Sequence, residues 1–464
     1  MKRRLGIVIT DGVGFRNFII NDFISEALKT FDEVVIFSFL PSHIYPQFSE
    51  SVTIVPLEFI PERTSTWFFR KFKEVAHMQK FAARNFGIND NLKATTTFVW
   101  NVHGVLNAII HFISRFLHSE SVIQMAERLQ FLSYYSQPAL KRSCDLLESH
   151  KVDVLFFTHQ RPPFIAPVIK CAKDLKIKTA TFIFSWDNLA SKGRMAGSFD
   201  RYLVWSNLMK SDLLEFYDSV SETHVHVVGT PQFVPFVTDS FGQERADFFK
   251  KFDLNPNLPL VVFTCNDSSS RNDPHYLDVL AQFIENKQLT QEVSVLVRTS
   301  PAEDPLRFAA IRERYPFLKW NDPKWPIASN SGTEMWAQRT PTHEDISDLK
   351  SMLQYAAFTI NVMSTITIDS FIFDKPVINP VFGTGSNGLW NDQKFLKFRH
   401  LEVLERANAS LIVKDSDQYL TAINFLLTGG DDKAAARKSF VDLQISVPLP
   451  AVNKTIVKTL YEFE

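Results

Sequence analysis

Short apolar runs rich in β-branched residues alternate along the whole chain with longer stretches of helical spacing. The runs at 5–10, 33–39, 53–56, 152–158, 178–184, 201–205 and 224–228 read as buried strands. Between them, 19–30, 137–150, 165–175 and 209–217 repeat apolar positions every three or four residues, as helices do. A second series of strands begins at 260–264 and continues at 293–298, 356–362, 376–379 and 411–413. Its helices are expected at 276–286, 345–355, 366–373 and 416–427, and the tail after Pro448 and Pro450 again has helical spacing.

Alternating strands and helices predict parallel sheets covered on both faces. Two such series predict an α/β protein of two Rossmann-like domains, 1–240 and 241–450, facing an interdomain cleft. Pro231, Pro235, Pro256 and Pro259 break the pattern between 230 and 257 and mark the join. The segment 451–464 is expected to form a helix returning to the first domain.

A helical insertion interrupts the first series at about 60–130. There Phe98, Val99, Val102, Val105, Leu106, Ile109, Ile110, Ile113, Phe116 and Leu117 form one helical stripe. Upstream, Arg70, Lys71, Lys73, Lys80 and Arg84 interleave with Trp67, Phe68, Phe69, Phe72 and Phe81. Two readings stand: a peripheral contact of 63–117 with an anionic membrane surface, or a helical cover packed on its own domain.

Composition narrows the function classes. The chain has 464 residues, Lys+Arg 50 against Asp+Glu 51, so a dedicated nucleic-acid partner lacks its electrostatic basis. No apolar run is long enough for a spanning helix, and the basic start gives way to Thr10-Asp11-Gly12 too early for a signal-peptide core. Cys144, Cys171 and Cys265 are too scattered for a disulfide framework or a zinc cluster. Separate buried thiols in a reducing, cytoplasmic setting are expected, peripheral to the inner membrane face if the insertion docks there.

Candidate chemistry gathers at the carboxyl ends of strands, which form the ligand crevice of open α/β sheets. The expected strand at 356–362 ends in Met363-Ser364-Thr365, and a helix carrying Thr367 and Asp369 follows. The strand at 260–264 runs into Asn266-Asp267-Ser268-Ser269, and Arg298 with Ser300 closes a third. Backbone amides and hydroxyls at such junctions suit phosphate, or simply cap the next helix. In the first domain Asp11, Arg16 and Asn17 follow strand one, His159 ends a later strand, and Trp186, Asp187, Asn188 and Lys192 follow another.

The order Gly229-Thr230-Pro231-Gln232-Phe233, Val297-Arg298-Thr299-Ser300-Pro301, then Ser364-Thr365 with Lys375-Pro376-Val377-Ile378, resembles a GT-B glycosyltransferase. Within that group it is similar to bacterial surface-polysaccharide glycosyltransferases with a donor domain like that of the CDP-glycerol glycerophosphotransferases. The segment 395–413 with His400, followed by Lys414-Asp415-Ser416, resembles their C-terminal part. The relatives' Arg-x-His-Pro stands here as Arg298-Thr299-Ser300-Pro301, which leaves UDP, GDP, CMP and CDP donors open.

The resemblance implies metal-independent transfer from a nucleotide-sugar donor to a carbohydrate or lipid-linked carbohydrate acceptor, without a resident cofactor. It implies a donor site at Asn266, Ser268, Arg298, Ser300, Ser364, Thr365, Thr367 and Asp369. Asp11, His159 and Asp187, in that order, are the candidate bases, and Arg16, Asn17, Trp186, Asn188 and Lys192 the acceptor contacts. Trp320, Trp325, Trp336 and Glu334 lie in a long segment near where GT-B proteins hold the nucleotide base; aromatic packing against the sheet is the competing reading. A polyol-phosphate transferase, a sugar-nucleotide epimerase of the same fold, and a non-catalytic nucleotide-binding or scaffold protein are the alternatives.

Overall fold

The computed structural model describes residues 2–267, 269–327 and 339–463. The first seven strands are β1 (Arg4–Ile9), β2 (Glu33–Ser38), β3 (Val52–Pro56), β4 (Val154–Phe157), β5 (Lys178–Phe182), β6 (Arg201–Val204) and β7 (Val225–Val227). They form one parallel sheet in the order β3-β2-β1-β4-β5-β6-β7. The second sheet comprises β8 (Leu260–Thr264), β9 (Ser294–Arg298), β10 (Lys319–Asn321), β11 (Phe358–Ile360), β12 (Val377–Pro380) and β13 (Leu411–Val413). It is also parallel, in the order β10-β9-β8-β11-β12-β13. Central strands such as β4 and β8 are buried along their whole length because helices cover both faces. That double covering explains why they read as unbroken apolar runs rather than alternating ones.

In both sheets the strand order reverses beside the first strand, between β1 and β4 and between β8 and β11. Chains leaving those neighbours diverge to opposite sides and open a crevice at the carboxyl ends. The two crevices face each other.

In the first domain α1 (Gly12–Phe15) continues through a wider turn at Arg16–Ile20 before α2 (Phe23–Ala27). The continuous helix expected at 19–30 is therefore two short pieces, broken where Asn21 adopts an extended backbone. The insertion forms α3 (Thr64–Phe81), α4 (Phe86–Ala94), α5 (Val102–Ser114) and α6 (Glu120–Leu132). Asn85, Asn101 and Ser119 cap the last three by accepting from Ile88, Gly104 and Val122 amides. Then come α7 (Pro138–His150), α8 (Ala166–Asp174), α9 (Asn188–Ser191) and α10 (Asn207–Phe216).

One expectation is corrected here. Cys144 on α7 and Cys171 on α8 are joined in a disulfide with Cα atoms 5.0 Å apart, and Cys265 remains a buried thiol. The two helices lie on either side of β4 in sequence and pack side by side, a juxtaposition that cysteine spacing alone does not reveal.

The supposed linker contains α11 (Arg245–Lys251). The second domain adds α12 (Asp273–Glu285), α13 (Ala309–Arg314), α14 (His343–Tyr355), α15 (Ile366–Ile372), α16 (Arg399–Ala407), α17 (Ser416–Leu427) and α18 (Ala434–Ile445). The last helix, α19 (Val452–Tyr461), packs on α2 of the first domain. Arg3 donates to the Tyr461 carbonyl at 2.6 Å, and Arg201 donates to those of Thr459 and Glu462 at 2.7 and 2.9 Å. No described helix is long and apolar enough to cross a membrane.

Candidate functional site

The register of β1 on β4 decides the first half of the site. Val8 pairs with Phe157, so Asp11 and His159 leave the sheet side by side. Asp11 Oδ1 accepts from the Val13 and Gly14 amides at 3.0 and 2.9 Å, capping α1. Its Oδ2 accepts from the Thr10 hydroxyl at 2.7 Å and lies 2.9 Å from His159 Nδ1. A carboxylate only accepts, so Nδ1 carries the imidazole proton and Nε2 is the ring's acceptor atom. The ring stacks on Phe184, centroids 3.9 Å apart.

Burial would raise the Asp11 carboxyl. The bond and charge of His159, the Gly14 amide and the Thr10 hydroxyl outweigh it and hold Asp11 below the usual carboxylate range. Burial lowers His159 despite the opposing pull of Asp11, so the imidazole is neutral near pH 7.

The turn after β5 supplies the next group. Asp187 Oδ1 accepts from Ser185 Oγ at 2.6 Å and from the Asn188 amide group at 3.1 Å, while Lys192 Nζ stands 4.0 Å from Oδ2. Burial opposes the Asp187 charge, but Lys192, His400 and Ser185 hold its pKa below the ordinary value. Asn188 also accepts from Gln160 at 3.0 Å. The Trp186 indole donates to Thr365 Oγ1 at 3.1 Å, tying this turn to the other domain.

Across the cleft, Asn266 donates to the Val362 carbonyl at 2.6 Å, and its amide donates to Asp273 at 2.7 Å. Arg307 braces the same loop through the Ser270 and Asn266 carbonyls. Met363 takes a left-handed backbone, φ 49°, and the Ser364 amide donates to Asn361 Oδ1 at 2.9 Å. Arg298 reaches the cleft, but its guanidinium is engaged by both Asp345 oxygens, at 3.1 and 2.8 Å, and by Asn321. The Trp325 indole holds the same carboxylate at 2.7 Å.

The first-domain side of the cleft has a volume of about 860 Å³, lined by Asp11, His159, Arg161, Phe164, Asp187 and Lys192 among others. The second-domain side measures about 460 Å³, lined among others by Asn266, Arg298, Ser300, Ser364, Thr365 and His400. Asp187, Lys192, Asp267 and Pro301 border both. Burial brings the His400 imidazole down to about 4, although Asp187 pulls the other way.

The structure therefore gathers Asp11, His159, Trp186, Asp187, Asn188 and Lys192 on one wall, and Asn266, Arg298, Ser300, Ser364 and Thr365 on the other. Arg16, Asn17, Thr367 and Asp369 are buried away from both cavities. Thr367 bonds Asn361 at 3.0 Å, and burial lifts Asp369 to about 7 against the opposing charge of Arg16. Arg16 donates to the Gln232 carbonyl at 3.3 Å. Ser268, Glu334 and Trp336 lie outside the described residues, and Trp320 sits on β10.

Arg161 and Asn91 line the cleft without having been singled out. Arg161 stands two residues beyond His159 in the strand-end segment Thr158-His159-Gln160-Arg161 and was open to the same argument; Asn91 comes from the insertion, where no sequence signal points to the cleft. Among the described residues, no group of three or more His, Cys, Asp or Glu side chains is gathered as a metal site would require.

No protein-family model matches the chain, and no curated protein matches it in sequence. Its fold, however, recurs in solved structures. The UDP-GlcNAc 2-epimerase of Neisseria meningitidis, solved with UDP-GlcNAc bound, aligns with a TM-score of 0.52 over 99% of each chain at 10% identity. A glycosyltransferase from Rickettsia africae gives 0.52 over 100% of each chain at 13% identity. Another UDP-N-acetylglucosamine 2-epimerase gives 0.53 at 10% identity, over 100% of this chain and 97% of that one. The shared feature is the GT-B fold, two parallel-sheet α/β domains with their crevices opposed.

Proposed function

We propose that the protein transfers a sugar from a nucleotide-sugar to a hydroxyl acceptor in polysaccharide or glycolipid synthesis. The observation that carries this reading is the Asp11–His159 pair on the wall of the cleft, 2.9 Å apart and facing the second-domain loops. The acceptor, a carbohydrate or lipid-linked carbohydrate, occupies the larger cavity. The diphosphate of the donor lies against Ser364, Thr365 and Asn266 in the smaller one, where hydroxyls and backbone amides meet its charge.

In this reading the neutral His159 takes the acceptor hydroxyl proton on Nε2 as the acceptor oxygen bonds to the anomeric carbon. The nucleoside diphosphate departs with the electrons of the broken glycosyl bond. Asp11 holds the ring in the productive tautomer and stabilises the imidazolium, a role its saturated hydrogen bonding fits better than that of base. Phe184 and Trp186 shape the cavity walls, and Lys192, bordering both halves, stands where charge develops on the leaving group.

His159→Ala should lower kcat by about 10²–10⁴ while leaving nucleotide affinity nearly unchanged. Asp11→Asn retains the cap on α1 but withdraws the charge that raises the His159 pKa. Its kcat should fall, and the acid limb of its pH profile should move to lower pH. Full activity in either variant ends the assignment.

Epimerisation of a sugar nucleotide is the second reading, favoured by the fold shared with 2-epimerases. Converting a UDP-sugar with no acceptor present would establish it. Release of nucleotide only when acceptor is added would favour transfer.

A further inference from the structure

Helix α5 carries an apolar ridge on its outer face as well as buried side chains on its inner one. Its polar side chains face the protein: Asn107 donates to the Thr95 carbonyl at 3.0 Å, and His111 Nε2 lies 3.2 Å from the same oxygen. The Ser114 hydroxyl donates to the His111 carbonyl at 3.3 Å, and His103 meets the Trp67 ring edge-on at 4.6 Å. Ile110 is fully buried beside them and Ile113 half-buried, but a row of the other apolar side chains faces outward. Val102, Val105, Ile109, Phe112 and Phe116 recur at steps of three and four and form one ridge, with 68, 47, 42, 64 and 72% of their surface exposed. Trp100, just before the helix, is 91% exposed, and Phe98, Val99 and Leu117 extend the patch at its ends.

An apolar face this continuous marks a docking surface. Charge selects its occupant. From Asn91 to Ser119 there is no acidic residue, and the two formal charges, Lys93 and Arg115, are both exposed at the margins. A second copy seated face to face would oppose like charges, whereas an anionic lipid surface would meet both favourably. At 13 residues α5 is too short to span a bilayer and suits lying in its interface, with aromatic side chains at both ends. Three of the basic residues expected upstream are occupied within the protein. Arg70 is bound to Glu62 and Glu74, Lys73 is buried against Glu127 and the Ala196 carbonyl, and Lys80 pairs with Glu120 and Asp218.

We infer that the outward ridge of α5, from Phe98 to Leu117, beds into the interface of an anionic lipid bilayer. Thr95, the carbonyl that anchors α5, directly follows α4, and Asn91 on α4 lines the cleft, so docking holds the cleft close to the lipid surface. The inference concerns binding alone and is independent of the reaction in the cleft.

The test is cosedimentation of the full chain with vesicles of phosphatidylcholine and phosphatidylglycerol in equal parts, and with vesicles of phosphatidylcholine alone. The protein should bind the anionic vesicles more strongly. Ile109→Asp with Phe112→Asp should reduce binding about tenfold or more, without moving the thermal midpoint, because both side chains face solvent. Lys93→Glu with Arg115→Glu should erase the preference between the two vesicles. Three results overturn the inference: no binding to either vesicle, binding that survives the paired aspartates, or a dimer in sedimentation velocity that the same aspartates dissociate, which assigns the ridge to a second copy.

Discussion

His77 lies in α3 with both ring nitrogens buried and, among the described residues, without a hydrogen-bond partner. The rings of Phe81 and Tyr217 flank it at 5.2 and 4.9 Å. Burial, then the cations Arg194 and Lys80, hold its pKa well below 6.5. The unfolded chain takes up a proton near pH 6.5 and the folded one does not, so this neutral histidine favours folding above that pH and opposes it below. Between pH 7.5 and 5.5 the protein should lose about 1.4 kcal/mol more stability than its His77→Leu variant, as read by urea unfolding at both pH values. At this scale the sequence was informative where the backbone alone decides position. Asp11, His159 and Asp187 follow strands whose ends show in the apolar pattern, and all three line the cleft. It was silent where a side chain's direction decides. Thr367 and Asp369 belong to a seven-residue helix, too short for its periodicity to say which face is inward, and both turn to the core.

Among elements, the strands buried on both faces were legible, as were three of the four edge strands, β3, β7 and β13; the fourth, β10, was not, being three residues long and carrying only the signal Lys-Trp-Asn. Helix α11 hides among prolines that read as linker, and α18 opens on Ala434-Ala435-Ala436, which offers helix propensity but little apolar pattern. The stripe at 98–117 was recognised as helical, but a stripe does not say whether protein or another phase covers it. The α7–α8 pair makes the same point through covalent chemistry. Its cysteines are 27 residues apart, and closing a loop of that size restricts the unfolded chain enough to stabilise the fold by about 2–4 kcal/mol. Dithiothreitol should therefore lower the thermal midpoint of the wild type. Cys144→Ser with Cys171→Ser should begin from the lower value and be insensitive to the reductant.

At the scale of the molecule, the close approach of the two domains at Gly12 depends on a missing side chain. A Cβ on Gly12 would stand 1.7 Å from the Arg339 carbonyl oxygen and 3.2 Å from Thr340 Cα, both backbone atoms of the opposite domain. Gly12→Ala should push the domains apart, raise the radius of gyration in small-angle scattering and cost activity, with a destabilisation of about 1–3 kcal/mol. An unchanged radius with full activity would show that the loop yields locally.

The chain crosses between the domains twice, outward past Gly229 and back between Ile445 and Val452. At Gly229, φ 76°, a Cβ would lie 2.8 Å from Val452 and 3.0 Å from Val447, so the two crossings touch. Two strands of covalent backbone fastened side by side bend far more readily than they twist. Among relative rotations of the domains, the one about the line through Gly229 and Val447 meets the least covalent resistance from the paired crossings. The separation of His159 from Ser364 then becomes the coordinate that tells open from closed, and one pair of spectroscopic labels across the cleft is enough to follow it.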